Sequence, residues 1–149
     1  MTNRWSCSVQ AASKILGITT DELIKKIGHD GSQIVFPKLP EPMCRAGFHI
    51  QEIQDVAAKL GYMVMTIEAR PVATPDGIHT REIYTDEYKL SERMHWYFDN
   101  FNGIAVGQKY TGITWHYNVW KGQHWFDAGG RELQSPNIQI AYFYAFILS

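Results

Sequence analysis

Apolar residues recur at helical spacing in the N-terminal half of the chain. Residues 8–16 place their apolar side chains on one face and stop before Gly17, a residue favoured just after a helix C-terminus. This pattern predicts a helix with Cys7 at its first turn. Thr19 followed by Glu22 forms a capping box, which predicts the start of a second short helix. The two helices should form a hairpin.

The middle of the chain is less regular. Residues 29–47 contain three prolines and an Asp-Gly pair, which predicts a surface loop long enough to line a cleft. Helical spacing returns over residues 50–60 and predicts a third helix, and the apolar, β-branched run 62–68 predicts a strand. Residues 71–100 then interrupt the pattern. We expect them to be an insertion that ends in a helix over 88–101.

The C-terminal part has the short apolar runs of strands, separated by Gly- or Pro-containing turns. The predicted strands are 103–109, 112–121, 123–128 and 137–148. The last of them is nearly all apolar, so we expect it to be central in a sheet or covered on both faces. Helices first and strands last predict an α+β class, with the N-terminal helices packed on a C-terminal antiparallel sheet in a single domain, residues 1–149.

Composition narrows the classes of function. Apolar residues make up 45% of the chain and charged residues 19%, which is typical of a globular domain. The net charge is −1 with no basic run, so we expect no nucleic-acid partner. The N-terminus lacks a signal-peptide pattern and no segment reaches the ~18 apolar residues of a membrane span, so we expect a cytoplasmic protein with no membrane partner. Oligomeric state has no signature in the sequence.

Two cysteines, Cys7 and Cys44, are too few for a disulfide-stapled secreted domain, and we expect both to be thiols. They do not combine with His29 and His49 at the short spacings of a structural zinc site. We therefore expect neither a metal nor another cofactor.

Cys7 has the position that nucleophilic catalysis needs. The thiolate is the attacking form of cysteine, and the positive end of a helix dipole favours that charged form. Backbone N–H groups at the same helix end can donate to an oxyanion. The alternative for Cys7 is a small buried core residue. Cys44 has Arg45 beside it, which favours the thiolate, but no helix start, and it is the weaker candidate.

A base and an orienting group are predicted from the hairpin that follows His116. If Lys121 and Gly122 form a two-residue turn, His116 lies directly opposite Asp127 on one face of the hairpin. Directly opposed Cβ atoms are about 5 Å apart, within reach of an imidazole–carboxylate hydrogen bond. The carboxylate would fix the imidazole tautomer and stabilise the imidazolium. The alternative is that His116 is a surface histidine whose hydrogen bonds are already made, and that Asp127 lies opposite it by chance. Three tryptophans flank these residues and are candidate walls of a substrate cleft: Trp5, Trp115 and Trp125.

The ordered set of motifs resembles a known family. The set comprises Trp-Ser-Cys-Ser-x-x-Ala-Ala-x-x-x-Leu-Gly at 5–17, Thr-x-Asp-Glu-Leu at 19–23, a Gly-to-Tyr block at 47–62, and His-x-x-x-x-x-Gly-x-x-Trp-x-Asp at 116–127. It resembles the minimal papain-like cysteine peptidases of the C39-like type, and the helix-then-hairpin order is also similar to the Josephin deubiquitinases. The resemblance covers most of the chain outside about 71–100.

The resemblance implies a papain-like minimal fold and a thiol-dependent peptidase or other hydrolase that acts on a peptide or protein substrate. It assigns the nucleophile to Cys7, the general base to His116 and the orienting carboxylate to Asp127. The family's upstream glutamine, an oxyanion donor, falls where this chain has other residues, so Asn3 or Gln10 would take that role. Two alternatives stay open: a catalytically inactive binding module with this fold, and a transferase or deamidase acting on a protein amide with the same triad.

Overall fold

The computed structural model describes residues 4–69, 72–74, 77–79, 82–83, 92–108 and 115–148. The helices in this part of the chain are a short 3-10 helix at Arg4–Ser6 and the α-helices α1 (Cys7–Leu16), α2 (Thr20–Ile27), α3 (Ile50–Lys59) and α4 (Glu92–Asn100). The three N-terminal α-helices lie where the apolar spacing and the Thr19–Glu22 capping box predict them. None of the helices in these ranges is both long and apolar enough to cross a membrane.

Local signals set the helix ends. The Thr19 hydroxyl accepts a hydrogen bond from the Glu22 backbone N–H at 3.1 Å and so caps α2. Gly17 and Gly28 follow α1 and α2 with φ of +70° and +100°, in the left-handed region that glycine adopts without a Cβ penalty.

The strands are β1 (Tyr62–Glu68), β2 (Val72–Thr74), β3 (Gly77–His79), β4 (Glu82–Ile83), β5 (Asn102–Gln108), β6 (Trp115–Lys121), β7 (His124–Asp127), β8 (Glu132–Leu133) and β9 (Gln139–Leu148). The main sheet has the order β1-β9-β5-β6-β7-β8, with β4 also pairing β9, and all its pairings are antiparallel. The small hairpin β2–β3 is separate.

Apolar side chains are buried on both faces of this sheet. On one face α1, α2 and α3 pack over a cluster that includes Val9, Ile53 and Phe146. On the other face Met94 and Phe98 of α4 pack over a second cluster. The nearly all-apolar sequence of β9 follows from its place between β1 and β5 with both of its faces covered, and the prediction made for this strand is confirmed. The α+β class is confirmed as well.

Part of the segment predicted as an insertion contributes to the core. Met94 is fully buried and Phe98 is 3% exposed, so α4 forms one of the layers that cover the sheet. The predicted start of this helix, residues 88–91, lies outside the described residues, as do residues 109 and 112–114 of two predicted strands.

The predicted register of the β6–β7 hairpin is wrong. Lys121 pairs with His124, so the two turn residues are Gly122 and Gln123 and not Lys121 and Gly122. Gly122 and Gln123 have φ of +60° and +68°, the combination of a type I′ turn, whose twist matches that of the flanking strands. Gln123 is a non-glycine residue at positive φ, which the sequence pattern does not signal.

Candidate active site

Cys7 is the first residue of α1 and directly follows the 3-10 helix. Its side chain is half-buried, and both cysteines are free thiols. The first turn of α1 contains no acidic residue, so no carboxylate on that turn opposes the positive end of the helix dipole. This is the helix position for which the sequence predicts a favoured thiolate at Cys7.

A pocket of about 220 Å³ brings the three predicted catalytic side chains together. It lies beside the N-terminus of α1, which packs across β6. Its lining residues are Cys7, His116, Tyr117, Asn118, Asp127, Ala128, Gly129, Arg131 and Asn137. Cys7 comes from the helix, His116 from the start of β6 and Asp127 from the end of β7.

Asp127 lies diagonally from His116 and not directly across the hairpin, which corrects the predicted pairing. Its direct partner is Asn118, two residues beyond His116 on the same face of β6. Diagonal neighbours on one sheet face are still within reach of long side chains. The β6–β7 ladder ends at the pair Asn118–Asp127, and residues 128–130 form the turn into β8.

The turn after β7 holds the Asp127 carboxylate. The Arg131 backbone N–H donates to Oδ1 at 2.9 Å, and the Asp127 carbonyl accepts from the Gly130 N–H at 3.0 Å. Arg131 Nε lies 3.4 Å from Oδ2, but the Arg131 side chain is 77% exposed, so this ion pair is screened by solvent and weak. The Arg131 backbone N–H therefore holds the carboxylate more firmly than the Arg131 guanidinium does.

Lys14 ties α1 to the same turn. Its Nζ donates to the Ala128 carbonyl at 2.6 Å and to the Gln10 carbonyl at 3.3 Å. Burial lowers the pKa of Lys14, and the negative charge of Asp127 acts against that shift. The lysine thus links the helix that carries Cys7 to the turn that follows Asp127.

Two asparagines that no sequence motif indicates also line the pocket, Asn118 and Asn137. Asn118 is 2% exposed; its Nδ2 donates to Asn137 Oδ1 at 3.0 Å, and its Oδ1 accepts from the Asn137 backbone N–H at 3.0 Å. This reciprocal pair anchors the segment before β9 to β6. The signal that could have found Asn118 is its place two residues after His116, since it faces the same side of the strand.

Tyr117 is a third pocket residue without a signal in the sequence. Burial is the main cause that raises its pKa to about 12, and the negative charges of ionised Tyr144 and Cys7 add to the shift. Tyr117 therefore keeps its phenolic proton, and its capacity to donate a hydrogen bond, to a higher pH than an exposed tyrosine does.

Of the two predicted oxyanion donors, Asn3 lies outside the described residues. Gln10 is 7% exposed on α1, and its Nε2 donates to the Ser6 hydroxyl at 2.8 Å. This bond directs one amide N–H of Gln10 to Ser6, the residue before Cys7.

The three predicted cleft tryptophans have different surroundings. Trp5 donates from Nε1 to the Asp30 carbonyl at 3.0 Å, and Arg45 Cζ lies 4.6 Å from its ring centroid, so Trp5 joins the N-terminus to the 29–47 loop. The backbone of Trp115 pairs with β5 at the start of β6. Trp125 is 7% exposed and packs in the core under α4, away from the pocket beside α1.

Cys44 is 6% exposed within the 29–47 loop. Among the described residues, no group of three or more His, Cys, Asp or Glu side chains is arranged to hold a metal ion.

No family model, no curated protein and no solved structure matches this chain. The chemistry of the pocket is therefore inferred from its own residues and geometry.

Proposed function

We propose that this protein is a papain-like cysteine hydrolase that cleaves a peptide or isopeptide bond in a protein or peptide substrate. Cys7 is the nucleophile, His116 the general base and Asp127 the group that orients the imidazole. The observation that carries the proposal is the pocket of about 220 Å³, because Cys7, His116 and Asp127 come from three separate elements and line it together.

The reaction proceeds by two acyl transfers. His116 takes the Cys7 proton, and the thiolate attacks the substrate carbonyl carbon to form a tetrahedral oxyanion. The C–N bond then breaks, the amine leaves with the proton from His116, and the acyl group remains on sulfur as a thioester. Water, deprotonated by His116, attacks the thioester and releases the carboxylic acid and the thiol. The Asp127 carboxylate stabilises the imidazolium in both steps.

Two features of the surroundings support these roles. The first turn of α1 contains no acidic residue, so no carboxylate on that turn opposes the helix dipole at Cys7. The chain order, with the cysteine on the first helix and the histidine on a later sheet hairpin, is the one expected for a minimal papain-like fold.

A second candidate function is a catalytically inactive binding module. The observation that favours it is the hydrogen bond from Gln10 to Ser6. This bond uses one amide N–H of Gln10, a side chain proposed as an oxyanion donor. Loss of one oxyanion-hole donor typically lowers kcat by about 10²–10³-fold.

Site-resolved alkylation with iodoacetamide tests the proposed pairing of Cys7 with His116, on which the enzyme proposal depends. Cys44 is buried and should react slowly on that ground alone, so the deciding readout is the pH dependence at Cys7. An imidazole-paired thiolate should keep reacting below about pH 7, whereas an ordinary thiol slows about tenfold per unit of pH below its pKa. Peptide mapping by mass spectrometry reports the rate at each cysteine.

Two variants test the partners of Cys7 in the same assay. His116→Gln should abolish the reactivity of Cys7 at acidic pH, and Asp127→Asn should reduce it, because each weakens the imidazolium that stabilises the thiolate. Asp55→Asn, an exposed change on α3, is the matched control and should leave the profile unaltered. Two results together would contradict the enzyme proposal. The alkylation rate of Cys7 would fall with acidification like that of a free thiol, and His116→Gln would leave this rate unchanged.

A further inference from the structure

A second and larger pocket lies between α4 and the β7–β8 end of the sheet. Its volume is about 600 Å³, within the range of small-molecule and side-chain binding sites. Residues from α4, β6, β7 and β8 line it. It shares no lining residue with the Cys7 pocket, and the proposed hydrolysis does not use it.

The floor of this pocket is aromatic and fixed in place. The ring centroids of Trp120 and Trp125 lie 4.9 Å apart at an interplanar angle of 48°, and Phe98 packs edge-on against Trp125 at 5.1 Å. The Trp120 indole N–H donates to the Phe98 carbonyl at 2.5 Å, which sets the orientation of the ring. Trp125 is buried, while Trp120 is only half-buried. Trp120 is therefore partly accessible, and it lines the pocket.

The rim carries negative charge. Asp99 at the end of α4 and Glu132 on β8 both line the pocket, and the described lining residues include no lysine or arginine. Glu132 Oε1 lies 2.9 Å from His124 Nδ1, but both side chains are 63% exposed, so the contact is open to solvent. A carboxylate has about four acceptor positions, so this one contact does not saturate Glu132.

A pocket that combines an aromatic face with carboxylates is suited to bind a guanidinium group. The planar cation stacks on a tryptophan face through cation–π attraction, and its N–H groups donate to carboxylate oxygens. A simple apolar ligand would leave the rim carboxylates unused, and an anion would be repelled by them.

We propose that this pocket is a binding site for an arginine side chain, with Trp120 as the stacking surface and Asp99 and Glu132 as the acceptors. The site is independent of the proposed hydrolase activity.

Two probe ligands of equal shape test the proposal on the full chain. Nα-acetyl-arginine amide carries the guanidinium, and Nα-acetyl-citrulline amide replaces it with a neutral urea. Titration calorimetry, followed in parallel by tryptophan fluorescence, should show saturable binding of the arginine probe in the millimolar range. The citrulline probe should bind at least about tenfold more weakly, because it lacks both the cation–π and the ionic contribution.

Variants assign the binding to this pocket. Glu132→Gln should weaken the arginine probe about threefold and the double variant Asp99→Asn/Glu132→Gln about tenfold, as expected for solvent-exposed ion pairs. Asp55→Asn removes one carboxylate on the other face of the sheet and should leave the affinity unchanged. Cys7→Ala should also bind normally, so that failure of the hydrolase proposal and failure of this one are distinguished. Equal binding of the two probes, no saturable signal, or an affinity unaffected by the double variant would each overturn the proposal.

Discussion

At the scale of single residues, side-chain chemistry alone indicates the catalytic candidates. Cysteine at a helix start, a histidine on a strand and an acid on the next strand are residue types that acyl transfer requires, and all three line one pocket. Two other pocket residues give no such indication: Asn118, whose chemistry is not distinctive in sequence, and Tyr117, whose shifted pKa arises from burial. Burial is a property of the folded chain and has no local signal.

The raised pKa of Tyr117 predicts a loss of stability at high pH. Because the folded-state pKa is about 12 and the ordinary value is 10.0, the folded protein keeps a proton that the unfolded chain releases between these values. The stabilisation is complete below about pH 10 and is lost as the pH rises toward about 12. By about pH 11 the cost should reach roughly 1 kcal/mol.

Tyr117→Phe should remove this part of the pH dependence. Urea unfolding at several alkaline pH values compares the variant with the parent protein, and Tyr97→Phe on α4 is the control for losing one phenol elsewhere. Identical alkaline destabilisation in the parent and in Tyr117→Phe would show that burial does not hold the Tyr117 proton.

At the scale of elements, the β6–β7 hairpin has the predicted turn length but not the predicted register. The two-residue turn is present, but it is Gly122-Gln123, one position later than predicted. Lys121 pairs in the strand, and its Nζ donates to the Lys14 carbonyl at 2.7 Å, a tertiary contact that the local sequence does not encode. The shift moves Asp127 by two residues along β6, which keeps it on the face of His116 because side chains alternate with a period of two.

Replacing Gly103 by alanine should strongly destabilise the sheet, because β5 and β9 approach closely at this residue. A Cβ on Gly103 would lie 2.2 Å from the Tyr144 carbonyl oxygen and 2.8 Å from the Phe143 ring. The clash is with backbone in the centre of the sheet, so no side-chain rotation relieves it. Gly103→Ala should lower the free energy of unfolding by about 3 kcal/mol or more.

Chemical denaturation followed by circular dichroism measures this cost. Gly129→Ala makes the same change in the exposed turn after β7, where a new Cβ meets only Asp127 Oδ1 at 3.4 Å, and its effect on stability should be much smaller. Equal stability of the two variants would mean that β5 and β9 are farther apart at this point than the structure has them.

At the scale of the whole molecule, two core clusters share one central strand. Phe143 of β9 is buried in the cluster under α4, and Phe146 is buried in the cluster under α1 to α3. Because β9 supplies both clusters, neither layer of helices can detach without exposing a face of the same strand. We therefore expect one cooperative unfolding transition.

Weakening the packing on either face of the sheet should lower the midpoint of that single transition. Phe143→Leu acts on the α4 side and Ile53→Val on the α1 side, and both residues are fully buried. Each change should cost about 1 kcal/mol or more, and the melting curves from tryptophan fluorescence and far-ultraviolet circular dichroism should coincide in both variants. Separate transitions in the two probes would indicate that the two faces unfold independently.

Periodicity and residue chemistry determined much of this protein by themselves. They located the helices at the N-terminus, the central apolar strand and the residue types of the candidate site, because these depend on spacing within a few residues. The 3.6-residue and two-residue patterns are local, and so are the caps at Thr19 and Gly17.

Tertiary structure alone decided the rest. It set the diagonal relation of Asp127 to His116, the hydrogen bond that directs Gln10 to Ser6, the burial of Tyr117 and Trp125, and the aromatic pocket under α4. Each of these depends on which residues distant in the chain pack together, and that outcome follows from the energy of the whole core and not from the sequence around any one of them.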